Sequence, residues 1–249
     1  VSGEGAKLTL KGGTVSNRSR VAVTRNGGEV VIENGEYSSS AADVIRLEDG
    51  GKATVNGGTL TGREGAVASR GNNGTITVNG GTLIGTDNFA VATNGNDGMG
   101  GNTIIINDGT FEGNITTTGY EAIGVYVANG DTFVMNGGSI IAHGGTGLCM
   151  RAGDVTINGG SITATNVDKN GNEVADGKIG DDPAVMTGCS AIIFDQIRNY
   201  PGQSVKPMKL TVTGGTITGV DHSIQVLSED ANPNVFVTGG TLTPAYPAA

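Results

Sequence analysis

Short runs in which apolar and polar residues alternate recur along the chain, and each run is interrupted by a glycine-containing corner. In the run from Ala53 to Thr61, the residues five and three positions before Gly58 and two positions after it are apolar. The same three positions are apolar in nine copies, whose corner glycines are Gly13, Gly35, Gly58, Gly81, Gly109, Gly138, Gly160, Gly215 and Gly240. A period of two is typical of strands with one buried face. Each copy is therefore predicted to contain two strands that meet at a sharp corner, where Asn and Gly tolerate positive φ.

A third apolar segment follows the second strand in eight copies, before a turn leads into the next copy. These segments are residues 20–23, 43–47, 66–68, 90–92, 123–127, 148–150, 191–194 and 223–227. Successive corner glycines are 22, 23, 23, 28, 29, 22, 55 and 25 residues apart. Three strands in so short a copy cannot pair with one another, so each is expected to pair in parallel with its equivalent one copy later. The sequence predicts an all-β parallel β-helix of about nine three-stranded coils of 22–29 residues, right-handed because parallel crossovers are.

An asparagine recurs two positions before the corner glycine in five copies. These residues are Asn56, Asn79, Asn107, Asn136 and Asn158. Stacked one coil apart, their amides are expected to form a hydrogen-bonded ladder at the corner. A row of asparagines that binds sugar hydroxyls is the functional alternative. The shared position at a tight turn favours the structural role.

Composition and charge narrow the classes of partner. Glycine makes up 45 of 249 residues and recurs periodically, which indicates turns in register rather than a disordered tract. The net charge of −9 and the absence of a Lys/Arg run argue against a nucleic-acid partner. No apolar run approaches the roughly 20 residues that span a membrane. The two cysteines, Cys149 and Cys189, are predicted to be separate thiols, with one disulfide as the alternative.

The 55-residue interval between Gly160 and Gly215 is the clearest departure from the repeat. Its third strand survives at 191–194, so we interpret it as one coil with insertions at 166–183 and 195–208. Long loops on a regular scaffold often carry function. The β-helix domain is predicted to cover residues 1–243, and residues 244–249 are predicted to form a Pro/Ala-rich linker or tail.

The first insertion contains two short arms around Asn170-Gly171, which predicts a β-hairpin. Asp168, Asn170 and Asn172 also match the start of a calcium-binding loop, but Glu173 stands where that loop needs glycine. The hairpin is favoured. No cofactor is expected, and calcium at these three residues is the alternative.

The Asn-Gly-Gly-Thr-Leu units, such as Asn56 to Leu60, resemble those of the right-handed parallel β-helix superfamily with the pectate-lyase-like fold. They are most similar to the repeats of bacterial surface proteins, including autotransporter passengers and adhesin modules. The resemblance covers nearly the whole chain and is specific for architecture rather than activity. It implies an extracellular or cell-surface location. Because viral fibres also use β-helices, a phage tail or capsid-decoration module on a virion is the alternative.

Two groups of enzymes share this fold, and each uses a characteristic set of catalytic residues. Polygalacturonase-like hydrolases need flanking carboxylates and a His-Gly pair in a fixed order, whereas here His143-Gly144 precedes Asp181-Asp182. Lyases use calcium held by acids on neighbouring coils and a basic residue that removes a proton, for which Asp195 and Arg198 are the candidates. No column of acids lies on the strands, and no catalytic residue is assigned.

Paired hydroxyls such as Thr59 and Thr61 on the second strand raise a further alternative, ice binding. The row of hydroxyl groups along the second strands is interrupted by Glu36, Ile84 and Glu112. Threonine is also a good strand residue on any solvated face. Ice binding is therefore disfavoured.

The insertions supply the candidate ligand contacts. These are Asp181, Asp182, Asp195, Arg198, Asn199 and Tyr200. Tyr200 is expected to stack on a sugar ring or, equally, to pack its own loop. We expect a non-catalytic secreted or surface module with an adhesin, carbohydrate-binding or stalk role and a polysaccharide or surface glycan as partner. A lyase or hydrolase acting on acidic polysaccharide is the other alternative. Open strand edges also predict contact with neighbouring modules, or end-to-end or trimeric self-association.

Overall fold

The chain winds into a right-handed parallel β-helix, as the repeat predicts. The computed structural model describes residues 1–93, 98–114, 122–128, 130–174, 189–195, 207–227 and 234–244. These residues form 26 strands in three parallel sheets and no helix. Every strand pairs in parallel with the equivalent strand of a neighbouring coil, so each sheet runs along the axis of the rod.

The first sheet contains the strand before each corner. Its strands are β1 (Lys7–Leu10), β4 (Glu29–Ile32), β7 (Lys52–Val55), β10 (Thr75–Val78), β13 (Thr103–Ile106), β16 (Asp131–Met135), β19 (Gly153–Ile157), β22 (Met208–Val212) and β25 (Asn234–Val237). The second sheet contains the strand after each corner. Its strands are β2 (Thr14–Asn17), β5 (Glu36–Ser39), β8 (Thr59–Gly62), β11 (Thr82–Gly85), β14 (Thr110–Asn114), β17 (Ser139–His143), β20 (Ser161–Thr165), β23 (Thr216–Gly219) and β26 (Thr241–Pro244).

The third sheet contains the predicted third segments. Its strands are β3 (Ala22–Thr24), β6 (Asp43–Leu47), β9 (Gly65–Ser69), β12 (Phe89–Thr93), β15 (Ala122–Val127), β18 (Gly145–Met150), β21 (Ile192–Asp195) and β24 (Ile224–Leu227). This sheet therefore has eight named strands, against nine in each of the other two.

The interior is a single column of apolar side chains enclosed by the three sheets. From the second to the eighth coil, the three apolar repeat positions are at most 2% exposed, as at Val30, Ile32 and Tyr37. Strand pairing is in register, so like positions stack on like, for example Val55 on Ile32 and on Val78. Burial of this continuous stripe is the main force that holds the coils together.

The corner between the first and second sheets depends on its second glycine. In all nine coils this glycine has φ between 80° and 117°, which glycine adopts without strain. At Gly58 an added Cβ would lie 2.6 Å from the carbonyl oxygen of Gly35 in the preceding coil. The corner therefore requires glycine both for its backbone conformation and for the close approach of the coils.

The first insertion begins as a hairpin, as predicted. Val167 and Glu173 form an antiparallel bridge, and the Val174 N–H donates to the Asn166 carbonyl at 2.8 Å. The last strand, β26, includes Pro244 and pairs it with Gly219, one residue beyond the predicted end of the domain. Cys149 and Cys189 are both buried and are not joined by a disulfide. In the part of the chain that is described, no helix is long and apolar enough to cross a membrane.

Candidate functional site

The asparagine side chains at the corner form a continuous ladder along the rod. Asn79 Nδ2 donates to Asn56 Oδ1 at 2.8 Å, and Asn107 Nδ2 donates to Asn79 Oδ1 at 2.7 Å. Asn136 and Asn158 continue the ladder in the same direction at 2.9 Å each. Every amide donates toward the N-terminal end of the rod. The structure therefore brings together all five asparagines that the sequence places at this position.

Both ends of the ladder have side-chain partners that the sequence analysis did not identify. At the N-terminal end, Asn56 Nδ2 donates to Glu33 Oε2 at 3.0 Å. At the C-terminal end, Thr213 Oγ1 donates to Asn158 Oδ1 at 3.0 Å. Glu33 and Thr213 occupy the asparagine position in their own coils, so the repeat alignment itself contained the signal. Because every amide donates toward the N-terminal end, the first partner must be an acceptor and the last a donor. Glu33 and Thr213 meet these two requirements.

The outer faces of the first two sheets carry rows of small polar residues. Neighbouring hydroxyls in these rows bond from coil to coil, as between Ser38 and Ser16 at 2.9 Å and between Ser161 and Ser139 at 3.0 Å. The rows are interrupted by other residue types in some coils, as at Ile84, and the hydroxyl groups that they contain are used for contacts between coils. Such rows hold neighbouring coils together. They do not bring different chemical groups to one point, as a binding or catalytic site does.

The outer face of the third sheet, which we call the third-sheet face, is different because much of it is closed to solvent. Along one column the outward residues are Val23, Arg46, Ala68, Ala92, Tyr126, Cys149, Ile193 and Gln225. Ala68, Ala92, Cys149 and Ile193 are fully buried and form a second hydrophobic cluster with Phe89 and Ile123, separate from the interior column. In the sequence, the first insertion precedes β21 of this sheet and the second follows it.

The N-terminal part of the third-sheet face is built around a buried carboxylate. Asp43 is fully buried, and its Oδ2 accepts bonds from Arg46 Nε at 3.3 Å and Nη2 at 3.1 Å. Its Oδ1 accepts a bond from Arg70 Nη2 at 3.1 Å, and Arg20 Nε lies 3.9 Å from Oδ2. These residues come from three successive coils. One carboxylate therefore ties three coils together while three guanidinium groups give this end of the face a local positive charge.

The middle of the third-sheet face is aromatic. The rings of Phe89 and Tyr126 stack with centroids 6.5 Å apart. Arg70 lies over the Phe89 ring at 5.2 Å and Arg151 over the Tyr126 ring at 5.9 Å, so a guanidinium group accompanies each ring. Gly65 makes room for this pair, because an added Cβ there would lie 2.8 Å from Phe89 Cε2.

The C-terminal part of the face carries a serine and a histidine that superficially suggest a nucleophile and its base. Ser190 is fully buried, and its Oγ donates to Gln225 Oε1 at 3.0 Å, whereas His222 Nδ1 lies 3.5 Å away. Asp221 Oδ2 accepts the backbone N–H of Cys189 at 3.1 Å rather than orienting the imidazole. The hydroxyl hydrogen is directed to an amide, so these groups form a structural network and not a catalytic triad.

The first insertion places Asp168, Asn170 and Asn172 together in a tight turn. Asp168 Oδ1 accepts the backbone N–H groups of Asn170 at 2.8 Å and Asn172 at 2.9 Å, and Oδ2 accepts Asn172 Nδ2 at 2.9 Å. The Asn172 side-chain amide, followed by these backbone groups, lowers the pKa of the Asp168 carboxyl below its ordinary value. The described residues contain no group of three or more His, Cys, Asp or Glu that could hold a metal ion.

The other predicted contacts are not described. Asp181, Asp182, Arg198, Asn199 and Tyr200 lie outside the described residues, and of Asp195 the structure describes the backbone, at the end of β21. The two histidines are not brought together. His143 ends β17 in the second sheet, and His222 precedes β24 in the third, two coils later.

Comparison of the chain with models of known protein families, with curated proteins and with solved structures finds no match.

Proposed function

We propose that the chain is a non-catalytic module of a secreted or cell-surface protein, which serves as a rigid stalk and presents a carbohydrate-binding surface, in the manner of an adhesin. The resemblance of its repeat to bacterial surface β-helices of the pectate-lyase-like superfamily supports this proposal. So does the fold, because stacked coils give a rod of about 43 Å for nine coils at the strand spacing of a sheet.

The observation that carries the proposal is the asparagine ladder. Five side-chain amides and their partners Glu33 and Thr213 are bonded in one direction across seven coils. Such a row on the outside of the rod adds cohesion that does not depend on the core. A spacer that must keep its length and orientation benefits from this second set of contacts.

The third-sheet face and its neighbouring insertions are the surface that we propose contacts a glycan. An aromatic ring offers an apolar surface on which a sugar ring stacks, and a guanidinium group donates several hydrogen bonds to hydroxyl or carboxylate oxygens. Tyr126 is partly exposed and lies under Arg151, which supplies this combination on the described part of the face. The predicted contacts Arg198, Asn199 and Tyr200 follow β21 of the same sheet directly in the chain.

The experiment is a panel of pectins, host glycans and bacterial wall polymers, scored for both retention of the protein and release of new chain ends, with and without calcium. We expect retention without cleavage, and at least a tenfold loss of affinity in Tyr200→Ala and in Arg151→Ala. Thr61→Ala, on the second sheet, is the matched control and should bind as the parent chain does.

Three other results would count against the proposal. Release of chain ends would indicate a lyase or hydrolase, and the effects of Asp195→Ala and Arg198→Ala would then identify its chemistry. A stable closed trimer would favour a viral fibre. Absence of retention on every polymer would remove the carbohydrate-binding role.

A further inference from the structure

The corner of the second coil differs from most other corners in the residue that precedes its corner glycine. In seven of the nine coils this residue is itself glycine, whereas Asn34 precedes Gly35 and Asp108 precedes Gly109. In both of these coils the corner glycine donates its backbone N–H to the side-chain Oδ1 of the residue before it, at 2.8 Å. Both glycines also share a wider φ, 117° and 114°, against 80–93° at the other seven corners. These two corners therefore bring a backbone nitrogen against the side chain of the preceding residue.

We propose that Asn34 and Gly35 form a self-modifying site, at which the folded corner converts the asparagine into aspartate or isoaspartate. The Gly35 nitrogen loses its proton and attacks Asn34 Cγ, the carbon to which Oδ1 is bonded. The new N–Cγ bond closes a cyclic imide, and the Cγ–Nδ2 bond breaks as the side-chain nitrogen takes up a proton and leaves as ammonia. Water then opens the ring. Breaking the N–Cγ bond gives aspartate, and breaking the backbone C–N bond gives isoaspartate, in which the chain continues through the side chain.

Two features of this corner favour the first step. Since glycine has no Cβ, nothing on Gly35 obstructs its nitrogen, and the hydrogen bond to Asn34 Oδ1 already holds the two reacting groups together. The Tyr37 hydroxyl donates to the Asn34 backbone carbonyl at 2.9 Å and to the Gly12 carbonyl at 3.1 Å. When the Gly35 nitrogen loses its proton, negative charge spreads onto the Asn34 carbonyl oxygen of the same peptide group, where the Tyr37 hydroxyl stabilises it.

The equivalent corner of the fifth coil lacks this combination. Asp108 is a carboxylate, which repels a nucleophile, and Phe111 stands in the place of Tyr37 and carries no hydroxyl. Asp108 instead shows how the aspartate product would fit, because its Oδ1 accepts the glycine N–H at the same 2.8 Å. Aspartate at position 34 would therefore keep the hydrogen bond of the corner and add one negative charge next to Glu33 in the chain.

The ladder asparagines that precede a glycine are held away from this reaction. Each uses both Nδ2 and Oδ1 in hydrogen bonds to neighbouring coils, so its Cγ is not free to turn toward the following glycine nitrogen. These residues are Asn56, Asn79, Asn136 and Asn158. The ladder thus protects its own members from the chemistry that the neighbouring corner position favours.

In the three remaining Asn-Gly pairs whose asparagine the structure describes, the glycine nitrogen is held by another acceptor. The bonds are Gly27 N–H to the Gly50 carbonyl at 3.2 Å, Gly74 N–H to Asn102 Oδ1 at 2.8 Å and Gly171 N–H to the Asp168 carbonyl at 2.9 Å. Asn94 and Asn129 also precede glycine, but they lie outside the described residues. Among the described pairs, only that of Asn34 has the glycine N–H on the asparagine's own side chain.

The test compares the folded chain with the unfolded chain. The 249-residue protein is incubated in mildly alkaline buffer with and without guanidinium chloride, and peptide mapping by mass spectrometry follows the conversion of every Asn-Gly pair. In the folded chain we expect Asn34 to react at least about tenfold faster than the ladder asparagines. It should also react faster than it does in guanidinium chloride, because the fold holds the reacting groups together. A rate at Asn34 that folding lowers or leaves unchanged would overturn the proposal.

Tyr37→Phe tests the role of the hydroxyl. Phe111 fills the equivalent place in the fifth coil, so the variant should fold, which circular dichroism checks. Conversion of Asn34 in the folded chain should slow about fivefold, since one hydrogen bond to a developing charge is lost, while the rate in guanidinium chloride stays the same. Ser38→Ala removes a hydroxyl from the same strand and is the matched control, with both rates unchanged. An unchanged rate in folded Tyr37→Phe would refute the role of Tyr37. If that variant does not fold, the comparison in the parent chain still decides.

Discussion

The corner ladder and the third-sheet face lie on the same rod and use outward-facing residues in opposite ways. At the corner, one residue type repeats, stays exposed and bonds to its own equivalent one coil away. On the third-sheet face the residue type changes from coil to coil, from Arg46 through Ala92 and Tyr126 to Cys149, and half of the column is fully buried. Repetition at the corner serves cohesion across seven of the nine coils. Variation on the face produces one local arrangement that occurs once.

This contrast distinguishes residues that hold the rod together from residues of the candidate functional site. A ladder residue has equivalents in the coils before and after it. When one is removed, the remaining ladder contacts limit the loss of stability. A residue on the third-sheet face has partners that no other coil supplies. We therefore expect substitutions on the face to cost more than substitutions in the ladder, and the following predictions run from the largest effect to the smallest.

Removal of the buried carboxylate in Asp43→Ala should have the largest effect. It leaves Arg20, Arg46 and Arg70 close together without their shared counter-charge. Loss of one partner from a fully buried ion pair costs about 3–5 kcal/mol, and since these arginine side chains are 25–29% exposed, solvent reduces the expected loss to about 2 kcal/mol. Urea denaturation measures this decrease in the free energy of unfolding.

Glu36→Ala is the matched control for this prediction. Glu36 is an exposed acid on the second sheet, and its removal should change the free energy of unfolding by less than about 0.5 kcal/mol. Equal effects of the two substitutions would show that the Asp43 cluster contributes nothing special to stability.

Gly65→Ala should disturb the aromatic part of the face. The added methyl group would lie 2.8 Å from the Phe89 ring, so the ring must move away from its position against Tyr126. Overpacking of this kind costs about 1–2 kcal/mol. Thermal unfolding gives the cost, and the tyrosine fluorescence of the chain, to which Tyr126 is one of five contributors, should change. Gly12→Ala, where an added Cβ meets nothing within 4 Å, is the control and should leave both signals unaltered.

A break in the ladder should cost less. Asn107→Ala removes the donor to Asn79 and the acceptor for Asn136, both at an exposed corner, and we expect a loss of about 1 kcal/mol. In Asn107→Asp the new carboxylate faces the acceptor oxygen of Asn79, and protonation restores a donor. The pKa of the new carboxyl group should therefore be raised, and stability should be lost as the pH rises through that value.

The parent chain and Asn107→Ala are the controls for the pH series, since neither should show this added loss of stability. Equal stability of Asn107→Asp at low and neutral pH would contradict the ladder. Chemical unfolding at a series of pH values measures this pH dependence of the free energy of unfolding.

The smallest effect is expected at the hairpin, which lies on neither surface. Hydrogen bonds from Asn172 and Asn170 lower the pKa of Asp168. The stability that this carboxylate contributes is present above its unfolded pKa and lost as the pH falls through the lowered folded value. A carboxyl titration by NMR should give a pKa for Asp168 below its ordinary value. Asn172→Ala should raise that pKa, and Lys169→Ala should leave it unchanged.

The sequence predicts the first two sheets better than the third, and the reason is physical. Strands such as Lys52–Val55 alternate strictly, so their faces follow from a period of two. In the third sheet, adjacent residues Val44 and Ile45 both belong to the interior column, which breaks the alternation and conceals the outward positions. The partners of Asp43 are also 23 and 27 residues away in neighbouring coils, apart from Arg46. Only the stacking of coils brings them together.

The position of the strands across the rod determines how it would respond to tension. The backbone hydrogen bonds between coils run along the axis, so force applied to the two chain ends detaches one coil at a time instead of shearing a whole sheet. A regular coil of 22–23 residues would lengthen the chain by about 75 Å as it unwinds. The force trace of a single molecule would then be a series of evenly spaced steps, with longer steps where the coils carry insertions. A stalk of this design would absorb a pull gradually and retain its remaining coils.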